Sequence, residues 1–334
     1  MRPYIIHYLS GFGQIFPGRL ENIKQNYEKI STNGAGCVII MLLIAFDEKM
    51  EDQMIRIVTD NGSDITREEA AALGIERVVL ETAFEDGACP MDTDQDYAAF
   101  YEKLKNCDKL PITSRPAPQQ YLDIYLDAKE KGDGVVVISL SSGLSGTYES
   151  ACVAKNMAEY DNIRVIDSQQ AVMSQRILVE HAVKMRDANR TLDEIVSGVK
   201  DVRRRVRVVG IIGSLVYLKK GGRIPPALAL IGDALGIKPV ITVAGKVIQP
   251  VGKVRGVKAG ISLAYKMMEE DGIDPAFAPC FGYTSNREMG ENFMNETKAK
   301  FGIEKAGLAR VSGIIGTHLG TDSIGVAYVK KHEE

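Results

Sequence analysis

Residues 134–140 read Gly-Val-Val-Val-Ile-Ser-Leu, an apolar, largely β-branched run of strand length. It lacks the polar alternation of a half-solvated strand, so it fits a strand covered on both faces. It leads directly into Ser141-Ser142-Gly143-Leu144-Ser145-Gly146-Thr147, and residues 148–158 are rich in Ala, Glu, Lys and Met, a helical composition. The unit is therefore a buried strand, a hydroxyl- and glycine-rich turn, and a helix. A helix start offers free N–H groups and a partial positive charge, which favour an anion. Two readings of the turn stay open. Either Ser145 or Thr147 caps the helix, or hydroxyls and N–H groups together hold a small anionic group.

The surrounding chain repeats this alternation. Residues 55–59 form a strand pattern ending in Asp60-Asn61-Gly62-Ser63, and Thr66 with Glu69 is a capping box that starts a helix ending near Gly74. Residues 78–80 form a second strand, 94–106 a helix, and 110–116 an extended stretch biased by its prolines. Pro118 suits the first turn of a helix running to Lys131. Residues 163–167 form another strand, followed by helices over 171–186 and from the capping box Thr191–Glu194. This order predicts a mostly parallel sheet with helices on both faces and a ligand site at the carboxyl ends of the strands. Asp60, Ser63, Thr113, Ser114, Ser141, Ser145, Asp167 and Ser168 occupy those ends. Ordinary turn chemistry uses the same residue types.

A second α/β unit starts near Arg203. A strand over 208–212 precedes Lys219-Lys220-Gly221-Gly222-Arg223-Ile224, a glycine turn flanked by cations, and a short apolar helix over 225–234. Residues 238–250 read as a hairpin about Ala244-Gly245. Lys253, Arg255 and Lys258 are read as opening a helix to about 270, residues 278–283 and 308–311 as strands, 316–323 as a loop, and 324–329 as the last strand. The expected divisions are an extension over 1–53, one α/β domain over 54–205 and another over 206–330. The extension carries an apolar run over 34–46 that falls short of the roughly 20 residues needed to span a bilayer. Translation is expected to start near Met54, with a membrane-associated appendage as the competing reading.

Net charge is −3, so no global excess of cations points to nucleic acid or a membrane surface. Five scattered cysteines include no C-x-x-C pair, which argues against a disulfide framework or a cysteine-rich zinc site and fits a cytoplasmic protein. The four histidines lie far apart, so no metal and no cofactor is expected. Neither a phosphate-cradling G-x-x-x-x-G-K-[ST] nor a strand-borne G-x-G-x-x-G occurs. The glycine of Gly143-Leu144-Ser145-Gly146 stands one place from the nucleophile-elbow pattern. A serine esterase or thioesterase using Ser145 and His318, with Asp322 or Asp167 as the orienting acid, remains the alternative activity.

From Met54 onward the chain resembles the DegV family of bacterial fatty-acid-binding proteins. The resemblance rests on an ordered set of motifs: Thr59-Asp60-x-x-Ser63-Asp64, Thr113-Ser114-x-Pro116, the turn from Ser141 to Tyr148, Ile166-Asp167-Ser168, Lys219-Lys220-Gly221-Gly222-Arg223, Lys238-Pro239, Lys253-Val254-Arg255 and Gly316-x-His318-x-Gly320. It implies two α/β domains with one long-chain fatty acid between them. It implies that Thr113 and Ser145 hold the carboxylate with His318 nearby, and that Ser114, Ser142 and Gly146 are headgroup neighbours. It further implies that Arg223 and Arg255 face a partner kinase. That kinase converts the presented acid to an acyl phosphate for phospholipid synthesis, so the chain is a carrier subunit and not itself an enzyme. Arg115 stands where the family usually has a small or amide residue, and Asp322 adds a carboxylate near the expected anion site. Ile224, Leu228 and Ile231 are candidates for the tail tunnel.

Overall fold

The computed structural model describes residues 54–89, 91, 93–224 and 236–332. The readings placed on residues 1–53, on the helix over 225–234 and on Leu228 and Ile231 lie outside the described residues.

The elements follow in the order β1 (Ile55–Asp60), α1 (Arg67–Ala72), β2 (Glu76–Val78), β3 (Glu81–Phe84), β4 (Gly87–Ala88), α2 (Asp94–Asn106), β5 (Ile112–Ser114), α3 (Pro118–Lys131), β6 (Gly134–Ser139), α4 (Thr147–Ala158), β7 (Ile163–Asp167), α5 (Val172–Asp187) and α6 (Leu192–Arg205). They continue with β8 (Val206–Ile211), α7 (Leu215–Lys220), β9 (Ile237–Ala244), β10 (Val247–Arg255), α8 (Val257–Asp271), β11 (Cys280–Tyr283), α9 (Arg287–Phe301), β12 (Gly307–Arg310), α10 (Gly313–Leu319) and β13 (Ile324–Val329). Local chemistry sets many of the boundaries. Thr66 and Thr191 close capping boxes with Glu69 and Glu194, and Thr93 does so with Asp96. Pro118 opens α3, and Gly132, in the left-handed region, ends it.

Four parallel strands form one sheet in the order β2-β1-β6-β7. Strand β6 is buried along its whole length. Its alternate residues feed two cores: Val135 and Val137 pack with Tyr121, Tyr125 and Ala151 of α3 and α4, while Val136 and Ile138 pack with Ile177 and Leu178 of α5. A second, mainly antiparallel sheet has the order β10-β9-β8-β13-β11-β12. Val206 and Val208 of β8 face the α5 core, whereas Val209 and Ile211 face Ala264, Met268 and Phe293 of α8 and α9. Helix α5 is thus shared by the two sheets, which explains why nine of its residues are buried.

Four expectations change. The strand expected at 78–80 ends at Val78, and β3, β4 and β5 form a separate small antiparallel sheet. Thr113 therefore lies within β5, opposite Thr82, and not at the end of a parallel strand. Pro111 and Pro116 bracket β5 and limit it to a short strand. Lys253 and Arg255 lie on β10 and only Lys258 lies in the helix, because the hairpin turns one residue later than expected, at Gly245-Lys246, and pairs on to Arg255. Both turn residues have positive φ, the pairing a tight hairpin requires. His318 sits on a helix, α10, and not in a loop. The glycines that suggested a loop instead allow close packing: a Cβ on Gly316 would collide with the Tyr101 hydroxyl, which donates to the Val311 carbonyl at 2.8 Å.

Candidate functional site

The turn after β6 is fastened from two sides. Asp60 accepts from the Leu140 amide at 2.7 Å, from the Gly62 amide at 3.0 Å and from Gln175 at 3.2 Å. Complete burial nonetheless pushes its acid up to about 6. Asp167 accepts from both the amide and the hydroxyl of Ser142, at 3.1 and 2.6 Å, and pairs with Lys246 Nζ at 3.2 Å. Burial opposes its charge, but these donors and the Gln169 amide hold its acid below the ordinary carboxylate range. Ser141 donates to the Lys246 carbonyl at 2.6 Å, and the Gly143 backbone abuts the same carbonyl so closely that a Cβ would lie 2.6 Å from it. Only glycine fits there, which fixes the turn against the tip of the β9–β10 hairpin.

These anchors leave Ser145 at the edge of a cavity. Neither Ser145 nor Thr147 caps α4: the N-cap is Gly146, with no side-chain cap bond. The Ser145 and Thr147 hydroxyls instead lie 2.8 Å apart. The cavity measures about 280 Å³ and is bordered by Thr113, Ser114, Arg115, Ser145, Gly146, Arg223 and His318. Its remaining wall is mostly apolar, with Leu80, Leu140, Leu144, Val172, Met173, Ile212, Ile241, Val243, Ile248, Ile314, Ile315 and Leu319. Thr113 Oγ1 lies 3.5 Å from His318 Nε2, a long contact whose direction depends on the imidazole tautomer.

His318 is held neutral. Burial, aided by the charge of Arg223, pushes its imidazole down to about 4. Its Nδ1 is buried without a hydrogen-bond partner among the described residues, and a Cβ on Gly221 would collide with it. Asp322 bonds with Ser285 and Asp167 with Ser142. The serine–histidine–acid chain of a hydrolase is therefore not assembled by the described residues. No group of three or more His, Cys, Asp or Glu among them is placed to hold a metal ion.

Of the residues singled out in the sequence, Thr113, Ser114, Ser145, Gly146, His318 and Arg223 converge on the cavity. Ser142 does not border it, since its hydroxyl serves Asp167. Arg255 also lies off the cavity, at the exposed end of β10. Arg223 donates to the carbonyls of Gly221 at 2.8 Å and Leu144 at 3.4 Å. Ile224 packs in the small core of Ile212, Leu215, Leu218 and Ile241.

The cavity floor was not anticipated. Gly210, Gly325 and Gly282 pair in register across β8, β13 and β11, and all three border the cavity. Side chains on this row would fill the space. A Cβ on Gly282 would collide with the Met173 sulfur that lies over it. The available signal is a glycine inside each of three mostly apolar strands, a pattern that marks close approach of a ligand or another chain segment.

The chain matches known proteins along most of its length. A sequence model described as an uncharacterised protein of the DegV family matches residues 54–331. The DegV domain-containing protein TTE1491 of Caldanaerobacter subterraneus is 32% identical over 289 residues, covering 84% of this chain and 100% of that protein. Solved structures share the fold, among them the following two. DegV of Bacillus subtilis, described as a fatty acid binding protein, has a TM-score of 0.72 and 28% identity, covering 84% of this chain and 100% of that one. A stearic acid-binding protein of Eubacterium ventriosum has a TM-score of 0.75 and 26% identity, covering 83% of this chain and 99% of that one.

Proposed function

The chain belongs to the DegV family, and from that premise we propose that it binds one long-chain fatty acid, with the carboxylate at Thr113 and Ser145 and the tail in the apolar cavity. The observation that carries this reading is the cavity itself: a predominantly apolar space whose polar border is concentrated in hydroxyls, an imidazole and two guanidiniums. Such a space suits a ligand with one polar end. At about 0.8 kcal/mol per methylene, a 16-carbon tail contributes on the order of 12 kcal/mol before ordering costs, so the border groups mainly place the headgroup. Neutral His318 can donate one N–H or accept one hydrogen bond without adding charge. A delipidated preparation should bind hexadecanoate in a calorimetric titration, and the Thr113→Ala/Ser145→Ala variant should bind it at least about tenfold more weakly, since each bond to a charged group contributes roughly 1.5–3 kcal/mol. Unchanged affinity in the double variant would refute the headgroup assignment.

The proposal extends to a partner. In this reading the chain is a carrier with no catalytic role. It presents the carboxylate to a kinase that forms the acyl phosphate for phospholipid synthesis. Arg223 at the cavity mouth and exposed Arg255 on β10 would meet an acidic face of that kinase. Contacts of this kind set mainly the association rate and are screened by salt. At saturating fatty acid, where any change in ligand affinity is bypassed, the Arg223→Ala/Arg255→Ala variant should slow acyl-phosphate formation at low salt. Full activity of that variant would count against docking through these residues.

A further inference from the structure

Arg115 is exposed at the cavity mouth, and no hydrogen bond or ion pair engages its guanidinium among the described residues. It lies over Gly146: a Cβ built there would stand 2.9 Å from both its Cδ and Nη1. Gly146 thus lets the arginine lie against the start of α4, one residue after Ser145. Arg223 reaches the same turn through its Nε bond to the Leu144 carbonyl. Its donors reach only backbone carbonyls, so its charge is also without a counterion among the described residues. Among the described residues no Asp or Glu borders the cavity, and His318 is neutral. Two positive charges without a counterion among the described residues therefore lie against Leu144-Ser145-Gly146, Arg115 at Gly146 and Arg223 at Leu144.

Hydroxyls alone distinguish poorly between a carboxylate and a neutral amide or alcohol of similar shape, because a hydroxyl can donate to any of them. A guanidinium with an open face does distinguish them, since its planar pair of N–H groups matches a carboxylate and gains charge–charge attraction. We propose that Arg115 is the residue that makes this site selective for the ionised headgroup, by closing over the ligand's carboxylate from the Gly146 side. This inference rests on the fatty-acid reading above. It assigns a residue that supplies charge selectivity in addition to the hydroxyls that supply position.

The test compares two ligands of equal tail length, hexadecanoate and hexadecanamide, titrated into the delipidated full chain at pH about 8 and at low and high salt. The wild type should prefer the acid at least about tenfold, with the preference shrinking as salt screens the mouth. Arg115→Gln should weaken hexadecanoate about tenfold and leave hexadecanamide within about twofold, and Arg115→Lys should keep the salt dependence with a reduced preference. An unchanged acid-to-amide ratio in Arg115→Gln would overturn the proposal while leaving the fatty-acid reading intact. Failure of the wild type to bind either ligand would overturn that reading and this inference with it.

Discussion

Filling the glycine row should shorten the ligand that the cavity accepts. Gly210 is the position of choice, because a Cβ there meets Ile241 Cγ1 at 3.4 Å, Ile212 Cδ1 at 3.5 Å and Ile241 Cδ1 at 3.9 Å, all ordinary contacts. Gly325 is less suitable, since its Cβ would lie 2.9 Å from the Val209 carbonyl. In Gly210→Val the three added carbons enter the cavity and exclude about three ligand methylenes. At about 0.8 kcal/mol each, the loss is about 2.4 kcal/mol, or roughly 50-fold in Kd for an acid that fills the wild-type cavity. An acid about three carbons shorter should lose little. The fold should not suffer, because valine is favoured over glycine within a strand by up to about 1 kcal/mol. Titration of a series of saturated acids against both proteins, with urea denaturation as the control, measures each quantity. A chain-length optimum that stays where it was in a stably folded Gly210→Val would refute the placement of the tail along β8, β13 and β11.

Two further outcomes follow from buried ionisable groups. Unliganded His318, held near 4 by burial, stays neutral between pH about 6 and 8, so hexadecanoate affinity should vary less than about twofold across that range, whereas titration near the ordinary value of about 6.5 would produce a clear inflection there. Asp64 is buried, accepts the Ser312 amide at 2.8 Å and has its other carboxylate oxygen without a hydrogen-bond partner among the described residues; burial pushes its acid from 3.8 up to about 7. A raised acid favours the folded state while protonated, so this group's stabilisation is present below about pH 4 and is lost as pH rises toward 7, by about 4 kcal/mol at 1.36 kcal/mol per unit. Asp64→Asn lacks that titration, and its stability relative to wild type in urea should rise between pH about 4 and 8; a difference independent of pH would contradict the account.

The parallel sheet was legible because its signals are local. The apolar run of β6, the Thr66 and Thr191 capping boxes and the proline before α3 each act over a few residues. The expected helices over 94–106 and 118–131 coincide with α2 and α3. What failed depends on partners distant in sequence. Thr113 belongs to a small sheet because β5 pairs with β3, a choice its own residues do not specify. Helix α10 is glycine-rich because Tyr101, more than two hundred residues earlier, packs onto it and bonds Val311 at its approach. Lys253 and Arg255 belong to β10 because β9 offers eight residues with which to pair. At the site, the turn from Ser141 to Thr147 could be read from its hydroxyls, but the helical placement of His318 and the register that aligns the three glycines into one floor depend on the fold.

Native mass spectrometry of the full chain, purified without delipidation, tests the central claim most directly. The account predicts one long-chain fatty acid bound per chain, released as a free carboxylic acid on denaturation and depleted in Thr113→Ala/Ser145→Ala. A wild-type protein that carries no such acid, and that takes none up when hexadecanoate is supplied, would contradict it.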